Sequence, residues 1–281
     1  MQKRVAAIHD ISGFGKCSLT VALPVISAAG IEVSVIPTAV LSTHTGGFTD
    51  FTYRDLTEDI LPVAAHWCSL GLKFDAVYSG FLGSFEQIDI MKQVFSRLRS
   101  EQTLIVVDPV MADNGVLYKV FPKNFPDGMR ELCALADIIV PNITEAALLT
   151  GQTYVEGPYT KPYIEELLKK LAALGPRRVV LTGVCFDDTQ LGAAVYDDAK
   201  GTVDYAFSKR IEGSYHGTGD VFASVLLAAV LRGFSLGESA QIAVDFTAQS
   251  IRRTQKAGTD VRFGVNFEEG LPGLCDRLGL K

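Results

Sequence analysis

The sequence predicts an α/β fold of three layers: a mostly parallel central sheet, helices on both faces and an antiparallel hairpin at one edge. Three observations predict it. Short β-branched apolar runs alternate with longer helical patterns, the order produced when each strand is followed by a crossover helix. The strand runs are continuously apolar rather than alternating, as in strands covered on both faces. Two late strand runs are separated only by the polar turn 197–201, which reads as a hairpin.

The strands are expected at residues 4–9, 32–41, 76–79, 104–108, 138–141 and 178–182, with the hairpin strands at 191–196 and 203–207. Between and after them, helical spacing of apolar residues predicts helices over 18–29, 55–70, 85–100, 129–136, 161–173, 220–232 and 236–254. Residues 111–127 have no clear periodicity and carry Gly, Asn, Pro, Tyr and Lys. They follow a strand end, where a mobile flap belongs. No Pro/Ser-rich linker, solenoid repeat or low-complexity tract interrupts the pattern, so residues 1–281 read as one domain.

Composition narrows the function. Hydrophobic residues at 48% and charged residues at 21% exclude disorder and a collagen-like fibre. A net charge of −6 argues against nucleic acid and anionic membrane surfaces as partners. It leaves room for a small anion held by a few backbone amides. Cys17, Cys68, Cys133, Cys185 and Cys275 are odd in number and widely spaced, which fits neither a disulfide scaffold nor a zinc knuckle. No apolar run is long enough for a signal peptide or a bilayer span, so a cytoplasmic protein is expected.

In a parallel sheet, ligands bind beyond the carboxyl ends of the strands. The segments just after the expected strands are all polar or glycine-rich: 10–15, 42–46, 80–83, 108–113, 142–145 and 182–183. The strongest single motif is Gly217-Thr218-Gly219-Asp220 before an apolar helix. Free amides of the first helical turn would face a phosphate or developing oxyanion there, with Asp220 at the mouth. Asp220 or Thr218 as a simple helix cap fits the same pattern.

Asp108 and Asp113 bracket one strand end, and Asn142 and Glu145 share one face of a helical first turn. Such hard oxygen donors suit Mg²⁺ held through water and phosphates; an Asn142–Glu145 capping box is the alternative. Residues 10–18 fail both phosphate-loop patterns. Asp10 stands where a P-loop needs Gly and Cys17 where it needs Ser or Thr, and Ser18 replaces the third glycine of a dinucleotide fingerprint. A tight turn lining a pocket fits better. His44 and His216 lie beside the candidate site, and His66 reads as structural. Phe81 could face a planar ligand or simply pack in the core.

Together these residues resemble a family, the pyridoxal kinases of the ribokinase superfamily, and especially the bacterial pyridoxamine/pyridoxal kinases. The likeness spans nearly the whole chain and rests on residues 6–15, 42–46, 78–83, 108–111, 141–145 and 217–220. It implies a ribokinase-like fold and transfer of phosphate from MgATP to the 5′-hydroxymethyl group of a B6 vitamer.

The resemblance puts Asp220 on the catalytic base and Gly217, Thr218 and Gly219 on the anion hole. Asp108, Asn142, Glu145, Thr182 and Gly183 fall on the ATP side, with Asp108, Asp113 and Glu145 toward Mg²⁺. Asp10, Ser12, His44, Thr45 and Phe81 fall on the vitamer side. A homodimer and a K⁺ requirement are further implications. Ala112 stands where relatives often carry Gly. The first loop resembles that of hydroxymethylpyrimidine kinases, which leaves a pyrimidine kinase as the nearest alternative. A catalytically silent binding protein on the same fold is a more distant one.

Overall fold

The computed structural model describes residues 2–280 and centres on β1 (Arg4–Ser12), whose Val5, Ala6, Ala7 and Ile8 are fully buried. Helix and strand then alternate through α1 (Leu19–Ala28), β2 (Glu32–Leu41), β3 (Tyr53–Asp55), α2 (Thr57–Ser69), β4 (Ala76–Ser79), α3 (Phe85–Leu98) and β5 (Leu104–Val107). A two-stranded hairpin, β6 (Ala112–Asp113) and β7 (Val116–Leu117), precedes α4 (Phe125–Cys133), β8 (Ile138–Ile139), α5 (Ile143–Thr150) and α6 (Lys161–Ala172). The chain continues with β9 (Arg178–Val184), β10 (Gln190–Asp197), β11 (Thr202–Lys209), α7 (Thr218–Leu231), α8 (Leu236–Ala257) and α9 (Leu271–Arg277).

Nine strands form one sheet in the order β11-β10-β9-β8-β5-β4-β1-β2-β3. The pairs from β9 across to β2 are parallel, and the two edges are antiparallel. β1 pairs with β2 on one side and β4 on the other. The winding therefore reverses at β1, and its carboxyl end is the natural ligand crevice. Alternate residues of the strands feed two cores, one on each face. Ala6, Ile8, Val77 and Val107 pack with α2–α6, whereas Val5, Tyr78 and Val106 pack with α1, α7 and α8.

This is the three-layer arrangement the sequence predicts, edge hairpin included. Several boundaries differ. The helix expected at 129–136 is α4, which starts four residues earlier: Phe125 stacks on Phe121 with centroids 3.9 Å apart, and Pro126 suits a first turn. β8 stops at Ile139, short of Pro141, which has no N–H for the ladder. α8 runs on to Ala257 and ends at Gly258 in the left-handed region. The short β3, the hairpin β6–β7 and α9 carry no long-period pattern and were not expected.

The edge strand β11 is blunted rather than left open. The Phe207 amide donates to Gln241 Oε1 (3.2 Å), and Gln241 Nε2 donates to the Phe207 carbonyl (3.1 Å). A side chain from α8 thus occupies positions a neighbouring strand would take. Among the described residues, no helix is long and apolar enough to cross a membrane.

Candidate active site

The carboxyl ends of β1, β5 and β8 and the start of α7 bring four acids close enough to influence one another: Asp10, Asp108, Glu145 and Asp220. Asp10, Asp108 and Glu145 are buried. None of the four joins an ion pair among the described residues. Buried carboxylates without a counter-charge resist ionisation, and all four are raised. Burial is the main cause in each. Asp108 is pushed well above the carboxylate range, with Glu145 and Asp220 adding repulsion. Glu145 rises to about 8 despite backbone hydrogen bonds. Asp220 rises to about 7, with Asp10 repelling it.

Asp220 lies in the first turn of α7, whose N-cap is Gly217. Gly217 has φ +74°, and a Cβ there would run into the Lys16 carbonyl oxygen. Only glycine allows both the left-handed backbone and this contact, which joins the turn before α7 to the loop after β1. Gly219 faces open space, and Thr218 Oγ1 donates to the Tyr215 carbonyl at 3.2 Å. The first amides of α7 therefore open on the same space as Asp220.

α5 begins with a complete capping box. The Asn142 side chain accepts from the Glu145 amide, and Glu145 Oε2 accepts from the Asn142 amide, both at 2.9 Å. Glu145 Oε1 accepts from the Met111 amide (3.0 Å), and Asn142 Nδ2 donates to the Ala112 carbonyl (2.8 Å). The Gly115 amide donates to Thr144 Oγ1 (2.9 Å). The residues expected as nucleotide or metal ligands thus hold the β6–β7 hairpin in place. Thr144 was missed by the sequence reading. The hairpin itself had a signal, Asn114-Gly115, with φ +50° and +77°, the pair that suits a two-residue turn.

Asp113 stands at the rim of the acids, where its charge adds to the repulsion on Glu145. It is exposed, and its carboxylate accepts from the Asn114 amide and side chain. Among the described residues no group of three or more His, Cys, Asp or Glu side chains could cage a metal ion. The Asp108 carboxylate, buried among like charges with no hydrogen bond to relieve it, is the donor that fits Mg²⁺. The ion's remaining ligands would then be phosphate oxygens and water.

Around β1, Ser12 Oγ donates to Asp10 at 3.3 Å, both buried. His44 spends both ring nitrogens on the protein: Nδ1 accepts from the Gly46 amide (3.0 Å), so Nε2 carries the proton and donates to the Arg262 carbonyl (2.6 Å). It fixes the loop rather than offering a free ring nitrogen. Thr45 beside it is exposed. Phe81 is half-buried against Phe121, centroids 5.5 Å apart. On the far side, Thr182 bridges to Asn142 and its Oγ1 donates to the Pro141 carbonyl at 3.4 Å. Gly183 is exposed with φ +79°.

The sequence pattern of the phosphomethylpyrimidine kinases matches residues 22–264. The chain belongs to that family. A pyridoxal kinase of Arabidopsis thaliana is 29% identical over 280 residues, covering 90% of this chain and 83% of the relative. The crystal structure of pyridoxal kinase from Lactobacillus plantarum is 34% identical and superposes with a TM-score of 0.90, covering 99% and 98% of the two chains. A Bacteroides thetaiotaomicron protein named after the phosphomethylpyrimidine kinases, crystallised with pyridoxal, is 36% identical with a TM-score of 0.93, covering 98% and 96%. The expected likeness to vitamin B6 kinases and their fold is borne out.

Proposed function

We propose that this chain transfers the γ-phosphoryl group of ATP to the 5′-hydroxymethyl group of a B6 vitamer: pyridoxal, pyridoxine or pyridoxamine. The relatives with pyridoxal in their names support the substrate class. One observation carries the chemistry. Asp220 stands without a cationic partner, near neutrality at about 7, beside the glycine turn that opens α7.

A carboxylate poised there accepts the hydroxyl proton as the oxygen attacks, a role worth ~10²–10⁴-fold. The first amides of α7 stabilise charge gathering on the transferred group. Asp10, Ser12 and Thr45 hold the polar atoms of the ring, and Phe81 covers its face. Mg²⁺ at Asp108 would neutralise phosphate charge during transfer. Residues 111–127, tied to α5 by Asn142, Thr144 and Glu145, close over the site and exclude water. The whole chain acts as one catalytic domain.

The matched family pattern favours a second reading, phosphorylation of hydroxymethylpyrimidine. Purified protein incubated with MgATP and each of the three vitamers, or with hydroxymethylpyrimidine, separates the two. Phosphorylated B6 product with stoichiometric ADP is the expected result; a product from the pyrimidine alone would replace the first reading with the second.

A further inference from the structure

Strand alternation turns His9, Tyr78 and Asp108 toward the layer containing α7. Ser224 follows Asp220 by one helical turn, on the same side of α7. Tyr78 and Ser224 are wholly buried, as is His9, whose ring meets Tyr78 edge-on with centroids 4.4 Å apart. Both ring nitrogens of His9 lack a partner, and Tyr78 Oη and Ser224 Oγ, close enough to share one loose hydrogen bond, have no other. A buried polar atom without a partner costs ~1–3 kcal/mol, and native proteins keep few of them. A cluster so poorly satisfied, under a candidate catalytic carboxylate, calls for an occupant.

Burial pushes His9 down to about 3, so the ring is neutral and offers one donor and one acceptor. Burial, with Asp108 and Asp220 nearby, pushes the Tyr78 phenol well above its ordinary value, so it stays a donor. Unmet donors and acceptors of this kind are what an ordered internal water satisfies, which needs two to four polar partners.

We propose that His9, Tyr78 and Ser224 line a site for ordered water beneath the first turns of α7, and that Tyr78, through that water, positions the Asp220 carboxylate. The positioning half rests on the role proposed above for Asp220; the water site does not. Tyr78 is a positioning residue, since its hydroxyl reaches the reacting atoms only through the water and Asp220.

Tyr78→Phe and Ser224→Ala each delete one hydroxyl and little else. Tyr163→Phe and Ser239→Ala make the same changes at buried, partnerless hydroxyls on α6 and α8 and serve as controls. A misplaced catalytic group loses about 10–100-fold. Tyr78→Phe should therefore lower kcat by at least about 10-fold while both KM values hold, with the controls unchanged. A high-resolution crystal structure should show water bonded to Tyr78 Oη and Ser224 Oγ and its loss in Tyr78→Phe. A dry cluster overturns the water site. A wet cluster with unchanged kcat in Tyr78→Phe overturns the positioning role. If the unmodified protein phosphorylates no vitamer, the functional reading fails, and the crystal structure still decides the water site.

Discussion

Asp220→Asn separates stability from function. Burial raises the Asp220 carboxyl from about 4 to about 7 in the folded chain. At ~1.4 kcal/mol per tenfold change, ionising it there costs up to about 4 kcal/mol more than in the unfolded chain. Water at the open mouth of the site reduces this to about 1–3 kcal/mol. The sign follows from proton binding. Between pH 4 and 7 the folded chain holds the proton that the unfolded chain has lost, so the stability Asp220 contributes falls as pH rises and levels off above pH 7.

Asn keeps the shape and removes the charge. The variant should therefore gain little at pH 4 and about 1–3 kcal/mol at pH 8, read by urea unfolding of the ligand-free protein at both pH values. The same variant should lose at least ~10²-fold in kcat. A variant less stable than the parent at pH 8, or one that turns over normally, would refute the reasoning.

Gly217→Ala forces a Cβ into the Lys16 carbonyl at a left-handed backbone position. It should lose about 1–3 kcal/mol of stability and most of its turnover, measured by thermal unfolding and ADP release. Thr144→Val removes the acceptor for the Gly115 amide; hydrogen exchange of the β6–β7 hairpin should quicken while α5 stays protected. Gln241→Leu strips the side chain that covers the edge of β11. Self-association, followed by light scattering, should rise at high protein concentration, and a variant as monodisperse as the parent would contradict that account.

Much of the fold was legible because local chemistry and burial agree. β4 is a short run buried along its whole length, and the ends of β2 and β4 match the expectation to the residue. Asn142 and Glu145 were legible as a pair, but not in their roles. Spacing puts both in one helical turn, yet only the folded chain brings the Met111 and Ala112 backbone groups to them. His44 shows the same limit: its partner, the Arg262 carbonyl, lies 218 residues away. The hairpin at 112–117 was hidden because two-residue strands carry no period, and Asn114-Gly115 was its one local sign.

By itself the sequence determined the layered α/β architecture, the polar strand ends and the glycine turn before Asp220. These follow from hydrophobic periodicity and backbone freedom, which act over a few residues. The acidity of the site belongs to the tertiary structure. Asp10, Asp108, Glu145 and Asp220 span 210 residues of chain, and each alone is an ordinary carboxylate. Gathered under cover without a cation they resist ionisation, burial first and neighbouring acids adding to it at Asp108 and Asp220, because desolvation and Coulomb energy depend on proximity in space rather than in sequence.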